Sequence, residues 1–160
     1  MKITLAVFVS IWLSAGHVWA GLGGEAPSVV GDQLRMHGQL RTMANDGYSV
    51  QQIEAADGTV VREYVSSEGM VFGVAWQGPK LPDLSALLGE YFPRYQAALP
   101  VPVHRRTPVS VHTDGLIVEI DGQMRAFHGR AYLPNLMPSR LARYPSALSC
   151  FFSLPPSISA

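Results

Sequence analysis

The chain has a single cysteine among its 160 residues, Cys150. No disulfide can therefore close within it, and its stability must come from packing. Charge is scarce as well: 15% of residues are charged, with 12 basic and 12 acidic. That balance lacks the basic footprint a nucleic-acid partner would call for. No apolar run reaches the roughly 20 residues that span a bilayer. The longest follows Lys2 and runs from Ile3 to about Ala15, before Gly16 and His17. Catalytic signatures are also missing. Nothing reads Gly-x-Ser-x-Gly, the turn that exposes a nucleophilic serine, and the glycine-rich "GLGGE" does not follow a strand, as a phosphate loop would.

What is present at the start is a basic residue, a short apolar stretch, and small residues at Val18 and Ala20. These are the parts of a secretory signal peptide over residues 1–20, with cleavage expected between Ala20 and Gly21. No cysteine follows to accept a lipid, so the expectation is an exported chain, periplasmic or otherwise secreted, with no transmembrane span after cleavage. The remainder is long enough for one domain with its own core.

Residues 21–46 read as weakly structured, with Ser28 placed to cap a short helix through Leu34. From Tyr48 onward, β-branched and aromatic residues gather in short runs separated by "ADG", "SSEG", "TDG" and "IDG", which is turn chemistry. Strands are expected at 48–55, 59–65 and 70–76. Asp83 can cap a helix carrying Leu84, Leu87, Leu88 and Tyr91, and Pro93 should kink or end it. A proline-rich linker, "LPVPVHRRTP", leads to strands at 108–113, 116–120 and 123–131. The fold expected over 47–138 is one α+β domain: an antiparallel sheet of about six short strands in β-β-β-α-β-β-β order, with one main helix packed on it. Residues 139–160, rich in Ser and Pro, should form a loose tail.

Within "MVFGVAW", strict alternation puts Met70, Phe72, Val74 and Trp76 on one face, which the leucine-bearing helix would cover. A four-residue "SSEG" turn would set Val65 opposite Met70 and Val61 opposite Val74. The reverse face would then be a mixed surface with Arg62, Tyr64, Gly73 and Ala75.

"LGGEAPSVVGD", "GTVVREYVSSEGMVFGVAWQGPKLPDLSALLGEYFP" and "GQMRAFHGRAYLP" together resemble a bacterial exported family, domain of unknown function 2844. The likeness runs from about Leu22 to Pro138. It implies an exported bacterial protein and carries no activity, cofactor or catalytic residue with it.

Tight turns at Asp114-Gly115 and Asp121-Gly122 would pair Val111 with Val118 and Val118 with Arg125. Ser110, His112, Glu119, Met124 and His128 would then share a face. His112, Glu119 and His128 invite a metal hypothesis, but this register sets the two histidines two strands apart, about 9.6 Å. Arg62 and Glu63 point to opposite faces and read as separate surface contacts. Arg125 and Arg130, interleaved with Phe127 and Tyr132, suit anionic or aromatic groups, and Arg62 with Tyr64 forms the comparable patch. The binding residues expected are Arg62, Tyr64, Arg125 and Arg130.

No cofactor or catalytic residue is expected. The first functional expectation is a non-catalytic binding or accessory protein whose sheet face meets an envelope protein or component. The second is a carrier of a small apolar ligand in a cavity between helix and sheet, lined by residues such as Phe72, Trp76, Leu88 and Phe127. The third is a hydrolase or metal-dependent enzyme. Amino-terminal sequencing of the exported protein should read Gly-Leu-Gly-Gly; a chain still beginning at Met1 would contradict the assigned leader.

Overall fold

The computed structural model describes residues 21–25, 28–100 and 108–142. The leader assigned to residues 1–20 and the thiol of Cys150 lie outside them. Helix α1 (Ser28–Met36) is followed by β1 (Gln39–Asn45), β2 (Tyr48–Glu54), β3 (Val60–Ser66) and β4 (Val71–Gly78). Helices α2 (Leu84–Leu88) and α3 (Phe92–Ala97) lead to β5 (Val109–Thr113), β6 (Leu116–Gln123) and β7 (Ala126–Tyr132), and α4 (Ser139–Ala142) comes last.

The seven strands form one antiparallel sheet in the order β1-β2-β3-β4-β7-β6-β5. The helical segment carries the chain to the far edge, from which β6 and β7 return to dock on β4. None of the described helices is long and apolar enough to cross a membrane.

The sheet is antiparallel as expected, but four strands rather than three precede the helical segment, and that segment is two short helices rather than one main helix. The extra strand arises because β1 lies inside the segment read as weakly structured. Its sequence, "QLRTMAN", lacks the β-branched and aromatic density that marks the other strands. Pairing with β2 compensates, closed by a two-residue turn at Asp46-Gly47 in which Gly47 takes φ +84°. The first described residues are also tied down. Leu22 N donates to Leu87 O at 2.8 Å, Gly23 N to Val71 O at 2.8 Å, and Val71 N to Gly24 O at 2.9 Å. Leu22 itself is buried.

Asp83 caps α2 as expected, its Oδ1 accepting from Ser85 N at 2.9 Å and Ala86 N at 3.4 Å. The helix stops at Gly89 rather than at Pro93. Pro93 instead sits in the first turn of α3, where a missing N–H costs nothing because that donor has no intrahelical acceptor.

Two registers differ from expectation. Between β3 and β4, Val65 pairs with Val71 and Tyr64 with Gly73, so Phe72 has no partner on β3. This β-bulge breaks the alternation. Val71, Val74 and Trp76 enter one core with Leu87, Leu88 and Tyr95, whereas Phe72 and Ala75 enter a second with Val50, Tyr64, Tyr132 and Leu141. Of the row in "MVFGVAW", Phe72, Val74 and Trp76 are therefore buried but divided between two faces, and Met70 is half-buried. Helices α2 and α3 cover the first face. Leu141 of α4 joins the second core, so the chain is still packed at a point assigned to the loose tail.

The β6–β7 turn lies at Met124-Arg125 rather than Asp121-Gly122. A Cβ at Gly122 would stand 2.4 Å from Ala126 O, so glycine serves a close approach of two continuing strands there. Val118 pairs with Ala131 instead of Arg125, a displacement of six residues. An even displacement leaves the side chains that remain in β6 and β7 on their expected faces.

Trp76 lies over its cross-strand partner Gly129, where an added Cβ would stand 2.4 Å from the indole Cζ2 and 2.8 Å from Glu119 O. Gly129→Ala should cost about 1–3 kcal/mol through overpacking and lower the thermal midpoint by several degrees; an unchanged midpoint would contradict this contact.

Candidate functional site

Residues paired directly across antiparallel strands share a face. The observed registers therefore generate straight rows across the sheet on the side away from α2 and α3. One row reads Arg41 on β1, Gln52 on β2, Arg62 on β3, Ala75 on β4, Arg130 on β7, Glu119 on β6 and Ser110 on β5. The row beside it reads Val50, Tyr64, Gly73, Tyr132, Ile117 and His112.

On β4, then, two small residues form a floor. Tyr64 and Tyr132 flank Gly73, and Arg62 and Arg130 flank Ala75. Flanking residues lie two strands apart, about 9.6 Å along the backbone.

The structure brings Arg62, Tyr64 and Arg130 together, although the sequence placed them in separate patches. Arg62 Nε donates to Gln52 Oε1 at 2.8 Å. Burial draws its pKa down against the opposing influence of Tyr64, and no carboxylate pairs with it among the described residues. Arg130 is held by Glu119, which accepts from both its Nε and Nη2. Both donors converge on Glu119 Oε2, a charge-assisted pairing that holds the guanidinium and neutralises it. Arg125 is not part of this group. It sits in the β6–β7 turn at φ +70°, exposed.

Arg41 is the member of the row that sequence reasoning missed, because β1 itself was missed. The available signal was "NDG" closing a hairpin, which would have paired "QLRTMAN" with the following strand.

The metal hypothesis gains little from this geometry. His112 Nε2 lies 3.5 Å from Glu119 Oε1, but His128 Nε2 lies 4.0 Å from Asp121 Oδ2 in a different row. Among the described residues no three His, Cys, Asp or Glu groups are placed to hold one ion. Glu63, expected at the surface, is instead fully buried on the opposite face, between Gln51 and Val74.

A cleft of about 880 Å³ opens at one end of the second core, between the β1–β2 turn, the β3–β4 turn and α4. Tyr48, Met70, Met137 and Leu141 supply its apolar wall, and an Asp46–Arg140 ion pair lies at its rim. No local sequence signal marks this cleft, since its walls come from three distant segments.

Burial raises the Tyr64 phenol to about 12; Tyr48 adds to the rise and Arg62 opposes it. A folded-state pKa above the unfolded value means the folded chain holds its proton more tightly. The resulting stability is complete below about pH 10 and is lost as pH climbs through 12, by about 2–3 kcal/mol. Denaturant titrations should show this loss. Tyr64→Phe should flatten it in part, because burial also raises Tyr48, Tyr91, Tyr95 and Tyr132. An identical alkaline slope in the variant would contradict the assignment.

No curated protein and no solved structure matches the chain. A family model described as Protein of unknown function (DUF2844) matches residues 18–143, a span that takes in every described residue, and the chain belongs to that family.

Proposed function

We propose that this is an exported, non-catalytic binding protein of the bacterial envelope, whose arginine row takes an anionic group of an envelope component. The observation that carries it is the alignment of Arg41, Arg62 and Arg130 at every second strand of one face, with only the small side chain of Ala75 between the last two.

Arginine keeps its charge at any accessible pH and offers a planar fork of donors that fits carboxylate and phosphate oxygens. A row built on it is suited to holding an anion rather than to moving a proton. Arg130 is already neutralised by Glu119, so Arg62 and Arg41 provide the attraction and the Arg130–Glu119 pair fixes the geometry beside them. The leader over residues 1–20 supports export, and a periplasmic location suits a short signal with no lipid acceptor.

The carrier reading draws support from a different place than expected. Phe72 lies on the opposite face from Trp76 and Leu88, so those residues do not line one cavity. The 880 Å³ cleft instead has the size and apolar wall of a small-molecule site.

Without Lys2 the exported form carries 11 basic and 12 acidic residues, and a chain of that balance adheres to a phosphate-bearing resin only through a local patch. The exported form should be retained on phosphocellulose at low salt and released as salt rises. Arg62→Ala and Arg41→Ala should each weaken retention, with Arg62→Ala costing about tenfold in affinity, whereas Arg125→Ala should not. Flow-through of the wild type, or equal loss in Arg125→Ala, would overturn the proposal. Native mass spectrometry of the same preparation reads the carrier alternative, which predicts a small molecule retained by the folded chain.

A further inference from the structure

We infer that β1 is a self-association edge, through which two copies of this chain join their sheets about a two-fold axis at Thr42. The sheet has two edges, and they differ. β5 has five residues and follows Pro108, which lacks an N–H; both features blunt an edge. β1 has seven residues, no proline and no bulge, and carries a single charge, Arg41. Among the described residues nothing pairs with its outer side.

The backbone phase of that outer side follows from the turn. The two-residue loop Asp46-Gly47 makes Asn45 and Tyr48 a hydrogen-bonded pair, so alternate residues back along β1 bond inward to β2. Leu40, Thr42 and Ala44 therefore direct their N–H and C=O groups outward. An antiparallel second copy centred on Thr42 uses all of these groups. Thr42 meets the partner's Thr42, and Leu40 meets the partner's Ala44, a large residue against a small one.

On the other face Arg41 lies opposite the partner's Met43. Met43 is 45% exposed in the single chain, and the aliphatic stem of arginine is suited to cover it. No like charges stand directly opposed in this register, and each copy keeps its faces aligned with those of the other. A one-residue slip would turn each helix-covered face onto the other copy's arginine face. A second copy therefore fits this edge better than an arbitrary extended peptide.

The pairing has a consequence for the anion site, and this part alone rests on the function proposed above. The two arginine rows would meet at the junction, offset by two residues or about 7 Å along the strands. A polymeric anion could then engage both copies, with the gain that two linked sites bring.

The test is a mass measurement, independent of any anion binding. Sedimentation equilibrium of the exported form should give twice the single-chain mass. Thr42 is exposed, so charged substitutions there leave the single chain's core alone. Thr42→Lys and Thr42→Glu should each halve the mass by setting like charges face to face at the axis. An equimolar mixture of the two should recover the doubled mass as a heterodimer. A wild type at single-chain mass would overturn the inference, as would variants that remain double. Two single-chain variants that fail to recombine would equally remove the axis from Thr42. Loss of phosphocellulose retention with the doubled mass intact would count against the anion site and leave the dimer standing.

Discussion

One extra residue in β4 governs how this molecule is divided into inside and outside. Phe72 has no partner on β3, and across it the side-chain alternation of the strand reverses. Without it, Phe72 would join Val74 and Trp76 beneath the helices, and β4 would offer the other face only Val71, Gly73 and Ala75. With it, Phe72 becomes the centre of an aromatic cluster on that other face, 6.2 Å from the rings of both Tyr48 and Tyr64. Burying a side chain of that size is worth about 1.5–3 kcal/mol, and α4 supplies Leu141 to the same cluster. The sheet is consequently packed on both faces at one end, while the second face at its other end carries polar rows.

That asymmetry positions the arginine row. Tyr64 and Tyr132 lie at the boundary between the aromatic cluster and the polar rows, their phenols raised by burial. Arg62 and Arg130 come two residues earlier in the same strands. Their surroundings separate their roles: Arg130 is pinned by a carboxylate, whereas Arg62 is paired with a neutral amide. The same face carries His112 3.5 Å from Glu119 and His128 4.0 Å from Asp121, contacts open to solvent and of small energetic weight. The fold thus places a cation with a neutral partner beside one that is fixed and neutralised.

Much of this was legible from residues alone. The strands from Tyr48 onward, the cap at Asp83 and the leucine stripe on α2 all follow from local chemistry, and each recurs in the structure. The faces of Glu119 and His128 also follow from alternation, although the turn between β6 and β7 lies beyond the Asp-Gly that predicts it, because the six-residue displacement is even. What was not legible depends on non-local pairing. β1 has weak strand propensity and exists through its contact with β2, so Arg41 was overlooked. The bulge leaves no local mark in "MVFGVAW", and the union of Arg62 with Arg130 requires β7 to return beside β4. Tethering of Leu22 by Leu87 O and of Gly23 by Val71 O likewise has no signature in "GLGGE".

The reversal at Phe72 is most directly read by nuclear Overhauser contacts from its ring protons. The fold described here predicts contacts to the rings of Tyr48 and Tyr64 and none to Leu88. Contacts from Phe72 to Leu88 would mean that the strand alternates without a bulge, and the division into two faces would be wrong.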